Sequence, residues 1–255
     1  MNVDYLRVSV TDRCNLRCIY CNPLGDHGLR DRAGILDFDE IQRVVRLGAE
    51  CGIRRVRLTG GEPLMCRNIP DLVGRLAQVV GIEDLSLTTN GVFLGPMAVQ
   101  LKAAGLKRVN ISLDAVDRQC YQRMTGFDLL AQVLDGLHKA LEVGLTPVRL
   151  NCVVMKDIND DELLEFASLA RDYPFQVRFI ELMPTVSREL WGRHFLPMAE
   201  VHRRLKGLGL AREVIAIDGI EVGDLDYIDI GQPIGHTEVI PVTVKSLMFY
   251  GTKLS

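Results

Sequence analysis

Three cysteines lie within eight residues near the start of the chain, in the stretch Cys14-Asn15-Leu16-Arg17-Cys18-Ile19-Tyr20-Cys21. Thiolates are metal ligands, and a loop of this length can wrap three of them around one metal centre. Structural zinc takes four protein ligands, so three cysteines suit it poorly. An iron–sulfur cube has four irons, and three thiolates leave one iron open for a substrate or cofactor. The spacing favours an iron–sulfur cluster, with a structural zinc loop as the alternative.

The cysteine loop follows an apolar run, Val3 to Val10, that is typical of a strand. Five more strands are predicted after it, at Ile53–Leu58, Leu85–Thr88, Arg108–Leu113, Val148–Met155 and Gln176–Leu182. Amphipathic helices are predicted between and after them, at residues 37–51, 69–80, 96–104, 117–143 with a break at Gly126, 160–171 and 198–208. This alternation predicts an α/β fold with a parallel sheet. Periodicity alone leaves open whether the sheet is a partial barrel or an open doubly wound sheet.

Small and polar residues follow several of these strands, at Thr59-Gly60-Gly61-Glu62-Pro63, Thr88-Thr89-Asn90-Gly91, Ser112-Leu113-Asp114 and Glu181-Leu182-Met183-Pro184. The carboxyl ends of parallel strands open on one face of the sheet, where such folds place their chemistry. Paired glycines let a backbone approach a ligand closely, and hydroxyls can bind ribose or carboxylate groups. A helix cap or an ordinary turn is the alternative for each segment.

Three arginines lie on predicted strands, at Arg7, Arg57 and Arg149. A guanidinium on a covered strand has to be paired or to line a cavity. Its fork matches phosphate oxygens, so three arginines facing one opening would suit a polyphosphate. The neighbouring Arg54 and Arg55 are interpreted as solvated.

The composition is that of a chain with a large core and an ordinary share of charged residues. Of 255 residues 47% are hydrophobic, enough for a large core, and the net charge of −3 gives no reason to expect nucleic acid or an anionic membrane as a partner. No apolar run reaches membrane-spanning length, and no secretory signal is recognisable. Seven cysteines, three of them clustered, favour a reducing cytoplasm. We predict a core at residues 1–212 and a β-rich tail at 213–255, and a homodimer is left open.

The cysteine motif, with an aromatic residue before its third cysteine, resembles that of the radical S-adenosylmethionine (SAM) superfamily. The longer stretch Leu6-Arg7-Val8-Ser9-Val10-Thr11-Asp12-Arg13-Cys14-Asn15 is similar to the GTP 3′,8-cyclase family of molybdenum cofactor biosynthesis. The resemblance covers about residues 6–212. It implies a partial (β/α)6 barrel, one [4Fe–4S] cluster, SAM as cofactor, a one-electron donor, and lyase activity on GTP through a 5′-deoxyadenosyl radical.

Site residues are carried over from that resemblance by motif position. The cluster ligands are Cys14, Cys18 and Cys21. The SAM-binding residues are Tyr20, Gly61, Ser112 and Met183. The residues that contact the nucleotide are Arg7, Arg57, Thr88 and Arg149, the last where the family has lysine.

The resemblance ends in the tail, where the family has three more cysteines that hold a second cluster and a terminal Gly-Gly pair. This sequence has no cysteine after Cys152. Three explanations stay open: a truncated or frameshifted cyclase, a diverged radical SAM enzyme with another small-molecule or peptide substrate, and a non-catalytic iron–sulfur relative. The four cysteines outside the motif are predicted to be buried apolar residues, namely Cys51, Cys66, Cys120 and Cys152.

Overall fold

The computed structural model describes residues 3–22, 36–184, 187–207, 214–217 and 246–250. The strands are β1 (Tyr5–Ser9), β2 (Arg55–Thr59), β3 (Asp84–Thr89), β4 (Arg108–Ser112), β5 (Val148–Val154), β6 (Phe175–Glu181), β7 (Val214–Ile217) and β8 (Ser246–Tyr250). The helices are α1 (Phe38–Glu50), α2 (Ile69–Ala77), α3 (Leu94–Ala103), α4 (Arg118–Thr125), α5 (Leu130–Glu142), α6 (Leu163–Asp172), α7 (Arg188–His194) and α8 (Met198–Gly207). None of the helices in this part of the chain is long and apolar enough to cross a membrane.

The strands form one parallel sheet in the order β7-β6-β5-β4-β3-β2-β1-β8. The six central strands follow chain order, which is the arrangement of the predicted partial (β/α)6 barrel, and one further strand flanks each side. Consecutive strands run side by side because a helix covers the return path between them.

Alternation along the strands separates an apolar face from a polar one. The face towards the helices carries side chains such as Val8, Leu58, Leu87 and Ile111, which are fully buried in one continuous core. The other face carries the polar side chains Arg7, Arg57, Ser86, Thr88, Asn110, Ser112, Arg149, Asn151 and Arg178. Because alternate residues point to opposite faces, the polar set lines the inside of the partial barrel. We call this polar inner face the lumen.

Local signals in the sequence set several helix ends. The Asp37 side chain accepts from the Glu40 backbone N–H while the Glu40 carboxylate accepts from the Asp37 N–H, the predicted capping box. Gly126 has φ +79 and ends α4, which confirms the predicted break, because a left-handed residue at this position favours glycine.

Several features differ from the sequence predictions. Helix α7 was not predicted, and β7 pairs in parallel with β6 after α8, which extends the β/α alternation into the tail. The tail segments expected as strands at 226–230 and 239–244 lie outside the described residues. Cys51 is exposed and Cys66 partly so, whereas Cys120 and Cys152 are buried as predicted. Arg55 is not simply solvated, because its guanidinium is 2.9 Å from Asp4 in an ion pair.

Candidate functional site

The cysteine loop lies directly after β1 at the carboxyl end of the sheet. Two backbone hydrogen bonds fasten it to the end of α4, from Arg17 N–H to the Thr125 carbonyl and from Ile19 N–H to the Met124 carbonyl, each 2.9 Å. A turn then closes on Cys18, whose carbonyl accepts from Cys21 N–H at 3.0 Å. The loop that carries the three thiols is therefore held by the scaffold along much of its length.

The thiols themselves lie in an environment that disfavours bare negative charge. Burial is the largest effect and raises the pKa of Cys14, Cys18 and Cys21. Asp114 and neighbouring thiols raise the pKa of Cys18 and Cys21 further, whereas the hydrogen bond from Leu16 N–H partly offsets the rise at Cys14. A bound metal reverses this balance, because coordination deprotonates a thiol outright. Within the described residues no three Cys, His, Asp or Glu side chains are grouped to hold a single metal ion. A cube needs no such convergence, since each thiolate binds a different iron. The three thiols on one anchored loop fit that donor set.

The Gly60-Gly61 pair after β2 lies against the cysteine loop. Gly61 N–H donates to the Thr11 carbonyl and Glu62 N–H to the Arg13 carbonyl, both at 2.7 Å. A Cβ added at Gly61 would lie 2.3 Å from the Arg13 carbonyl oxygen, closer than real Cβ contacts allow. The close approach that the sequence predicted for Gly61 therefore serves the cysteine loop in this structure.

Glu62 is a buried carboxylate that sequence reasoning did not single out by itself. One carboxylate oxygen accepts from Leu64 N–H at 2.9 Å and from the Thr89 hydroxyl at 2.7 Å, and the other accepts from Asn90 N–H at 2.7 Å. Burial nevertheless raises the pKa of Glu62, because the lost hydration outweighs these donors. Glu62 thus ties the loop after β2 to the loop after β3.

Asn90 connects that same region to the first thiol. Its side-chain oxygen accepts from Val92 N–H at 3.1 Å, which fixes the orientation of the amide. Its NH₂ group donates to the Asn15 side-chain oxygen at 2.7 Å and lies 3.9 Å from Cys14 Sγ. Leu16 N–H points at the same sulfur from 3.5 Å. Donors around a cluster sulfur orient it and tune its electronics.

The hydroxyl of Tyr20, a residue predicted to contact SAM, is hydrogen-bonded to the side chain of Asp114. The hydroxyl donates to a carboxylate oxygen of Asp114 at 2.6 Å. Asp114 follows β4 and is almost completely buried. Its carboxylate links the cysteine loop to the end of the sheet, so the hydroxyl proton of Tyr20 is donated to Asp114.

The two remaining predicted SAM residues lie at or just after the ends of strands. Ser112 is the last residue of β4 and is paired in register with Asn151. Met183 follows β6 by two residues and is half-buried. The Trp191 indole N–H donates to the Leu182 carbonyl at 3.0 Å, which anchors the loop of Met183.

The four predicted nucleotide-binding residues all belong to the lumen. Arg7 and Arg57 are register partners on β1 and β2, and Thr88 and Arg149 each pair in register with Asn110. The Thr88 hydroxyl is shielded from solvent and has no hydrogen-bond partner among the described residues. A shielded hydroxyl of this kind is what a bound ligand would satisfy.

Arg57 is the most enclosed of these residues, with 2% of its surface exposed. Its guanidinium lies 5.2 Å from the centre of the Tyr5 ring. With the Asn110 amide oriented so that its oxygen faces Arg57, that oxygen accepts from both terminal nitrogens at 3.2 and 2.9 Å. Arg149 is more open and donates from Nε to the Gln176 side-chain oxygen at 2.8 Å. The lumen thus carries guanidinium and hydrogen-bonding groups, and two residues that follow its strands, Asn90 and Asp114, contact the cysteine loop.

Comparison with known proteins matches residues 8–170 to the family model of the Radical SAM superfamily. A second model, Ethanolamine utilisation protein EutA, matches residues 201–250. The GTP 3′,8-cyclase of Moorella thermoacetica is 48% identical over 203 residues, 80% of this chain and 63% of that protein. The GTP 3′,8-cyclase of Heliobacterium modesticaldum is 51% identical over 183 residues, 72% of this chain and 56% of that protein. The chain thus spans less than two thirds of the length of these curated relatives.

Solved structures share the fold at low sequence identity. Streptococcus suis SuiB bound to S-adenosylmethionine has a TM-score of 0.65 at 18% identity over 84% of this chain and 50% of that one. HydG, a maturase of the [FeFe]-hydrogenase, has a TM-score of 0.65 at 15% identity over 84% of this chain and 51% of that one.

Proposed function

The chain belongs to the radical SAM superfamily, and on that premise we propose that it is an enzyme that cleaves SAM reductively to methionine and a 5′-deoxyadenosyl radical. Membership implies an iron–sulfur cluster of the [4Fe–4S] type and SAM binding. When bound, these two groups supply the radical, while the chain binds, orients and shields the reactants. The observation that carries the proposal is the placement of the three-cysteine loop next to the cationic lumen.

We infer that Cys14, Cys18 and Cys21 hold a single [4Fe–4S] cluster. Their common loop supports this assignment, since it is anchored to α4 and backed by the loop of Gly61. Three thiolates on one loop leave one iron without a protein ligand, which gives SAM a place to bind.

For SAM itself we propose contacts with Tyr20, Gly61, Ser112 and Met183. Gly61 offers backbone groups without a side chain, and Ser112 offers a hydroxyl at the end of β4. Met183 lies in a loop held by Trp191, so its backbone has a fixed position. All four lie on loops or strand ends at the carboxyl edge of the sheet.

The substrate that the site supports best is GTP, converted in the first step of molybdenum cofactor biosynthesis. The relatives named GTP 3′,8-cyclase and the lumen residues Arg7, Arg57, Thr88 and Arg149 support this proposal. Guanidinium groups bind phosphate oxygens with two parallel hydrogen bonds. The Thr88 hydroxyl has no hydrogen-bond partner among the described residues and can bond to the nucleotide. In that role the arginines hold the triphosphate and so fix the ribose relative to SAM.

A second candidate is a radical SAM enzyme with another small-molecule or peptide substrate. The sequence has no cysteine after Cys152, and residues 201–250 match a second family model, that of the ethanolamine utilisation protein EutA. Both observations favour a tail unlike that of the cyclases. A one-electron donor is required in either case, since reductive cleavage consumes one electron per SAM.

The two candidates are separated by supplying GTP with deuterium on the ribose to the anaerobically reconstituted protein. Transfer of deuterium into 5′-deoxyadenosine is expected if GTP is the substrate. Formation of 5′-deoxyadenosine without deuterium would exclude GTP and leave the second candidate. About four iron and four sulfide per chain are expected before GTP is added.

A further inference from the structure

A buried carboxylate lies behind the second half of the cysteine loop. Asp114 is 4% exposed, and one of its carboxylate oxygens accepts from Val153 N–H on β5 at 2.8 Å. Its main-chain carbonyl accepts from the Asn159 side-chain amide at 2.6 Å. These bonds come from β5 and the turn after it, so the scaffold fixes Asp114 independently of the cysteine loop.

The other carboxylate oxygen of Asp114 reaches into the cysteine loop. It accepts the Tyr20 hydroxyl at 2.6 Å, across 94 positions of sequence. Tyr20 is two residues after Cys18 and one before Cys21, inside the turn that the Cys18 carbonyl closes. A fixed phenol at this point fixes the directions in which both thiols leave the backbone.

The charge of Asp114 also acts on those thiols. The two donors to its carboxylate, Tyr20 and Val153 N–H, are uncharged, so they do not cancel its negative charge. The carboxylate is hydrogen-bonded to Tyr20, the residue directly before Cys21 and two residues after Cys18. The negative charge of Asp114 therefore lies close enough to Cys18 and Cys21, two of the proposed cluster ligands, to act on a cluster bound there.

We propose that Asp114 is a positioning residue for the cluster: through Tyr20 it holds the Cys18–Cys21 turn, and its buried charge makes the cluster harder to reduce. This inference rests on the proposed function, because it takes the three cysteines as cluster ligands. A fixed negative charge in a poorly solvated site opposes the arrival of an electron nearby. A cluster that is harder to reduce is a stronger reductant once reduced, which cleavage of a sulfonium requires.

Two variants separate the two effects. We call the hydrogen bond from the Tyr20 hydroxyl to the Asp114 carboxylate the tether. Tyr20→Phe removes the tether and keeps the negative charge of Asp114. Asp114→Asn removes the charge and weakens the tether. Asp128→Asn is the matched control for the lost carboxylate, because Asp128 is exposed and pairs with Arg118 at the surface. Tyr173→Phe is the control for the lost hydroxyl, since Tyr173 is 41% exposed.

The tether is tested without any cluster, by hydrogen exchange of the backbone amides of residues 16–22. We expect faster exchange in Tyr20→Phe and Asp114→Asn than in wild type and both controls. Equal exchange in all five proteins would overturn the tether.

The charge is tested by potentiometric titration of the reconstituted cluster, followed by electron paramagnetic resonance. Asp114→Asn is expected to raise the equilibrium constant for reduction of the cluster about tenfold, which raises its reduction potential by about 59 mV for one electron. Tyr20→Phe and Asp128→Asn are expected to change the potential less. An unchanged potential in Asp114→Asn would overturn the effect of the charge. If no variant and no wild-type protein binds a cluster, the proposed function and the effect on the potential both fail, while the exchange result still decides the tether.

Discussion

At the scale of single residues, the site depends on buried polar groups that bridge loops far apart in sequence. Glu62 and Asp114 are carboxylates of this kind next to the cysteine loop, and Asn90 is an amide of this kind. Each of them is satisfied mainly by backbone or uncharged donors. Such groups cost free energy to bury, and they persist where they hold a geometry that function needs.

Replacing Glu62 by alanine tests the first of these bridges. Three donors, from Leu64, Thr89 and Asn90, would lose their acceptor in a buried place. We expect Glu62→Ala to lower the free energy of unfolding by about 3 kcal/mol in chemical denaturation of the cluster-free protein. The exposed Glu83→Ala should change it by less than about 0.5 kcal/mol. Equal effects of the two variants would contradict the bridging role.

The pH dependence of stability tests the burial of Asp114. Burial raises its pKa to about 6, above the 3.8 of an unperturbed aspartate, despite the hydrogen bonds from Tyr20 and Val153. A raised pKa in the folded state contributes stability that is present below about pH 4 and is lost as the pH rises through about 6. Relative to Asp114→Asn, the wild type should lose about 3 kcal/mol of unfolding free energy between those pH values. Denaturant titrations of both cluster-free proteins at several pH values measure this, and a constant difference would contradict it.

At the scale of elements, the loops after β1, β2 and β3 form one interlocked unit. Close contact between the loop of Gly61 and the backbone of Arg13 is the tightest point in it. The three loops come from separate β/α units, and they meet because parallel strands bring their carboxyl ends to one edge.

Adding a methyl group at Gly61 should force the cysteine loop away from β2. The new Cβ of Gly61→Ala would meet the Arg13 carbonyl at 2.3 Å, and a backbone group cannot rotate aside. We expect a loss of about 2 kcal/mol in unfolding free energy and less iron per chain after reconstitution. Gly192→Ala is the control, since nothing lies within 4 Å of its added Cβ and alanine favours a helix. A Gly61→Ala protein as stable and as iron-rich as this control would refute the close packing.

The sequence predicted the elements of this region better than their contacts. Strand alternation predicted β1 to β6 within a few residues, and the capping box at Asp37 and the break at Gly126 were correct. It could not predict that Tyr20 binds Asp114 or that Glu62 accepts from Asn90, because those bonds join residues 94 and 28 positions apart. Local pattern carries no information on such pairs. It also missed α7, a helix of 7 residues with no buried residue and hence little apolar periodicity.

At the scale of the whole molecule, curvature of the sheet collects arginines from distant strands into the lumen. Arg7, Arg57 and Arg149 come from β1, β2 and β5. The division into a core at 1–212 and a tail at 213–255 stays a prediction. The described tail strands, β7 and β8, extend the same sheet at its two edges.

The lumen arginines are tested through the affinity for GTP. Arg149→Gln should raise the apparent dissociation constant for GTP about tenfold, because the variant loses one charge-assisted hydrogen bond to the nucleotide. Arg149→Lys should keep part of the affinity, because the charge stays and the fork is lost. Equilibrium binding measures both, with the exposed Arg171→Gln as control. Unchanged binding in Arg149→Gln would remove this residue from the nucleotide site.

The most direct test of the whole account is formation of 5′-deoxyadenosine from SAM by the anaerobically reconstituted, dithionite-reduced protein. The wild type and Cys51→Ala, whose thiol is exposed and outside the loop, are expected to form it. Cys18→Ala is expected to form none, because two thiolates cannot hold the cube with one open iron. Equal product from Cys18→Ala and wild type, or no product from a wild type loaded with iron and sulfide, would contradict the account.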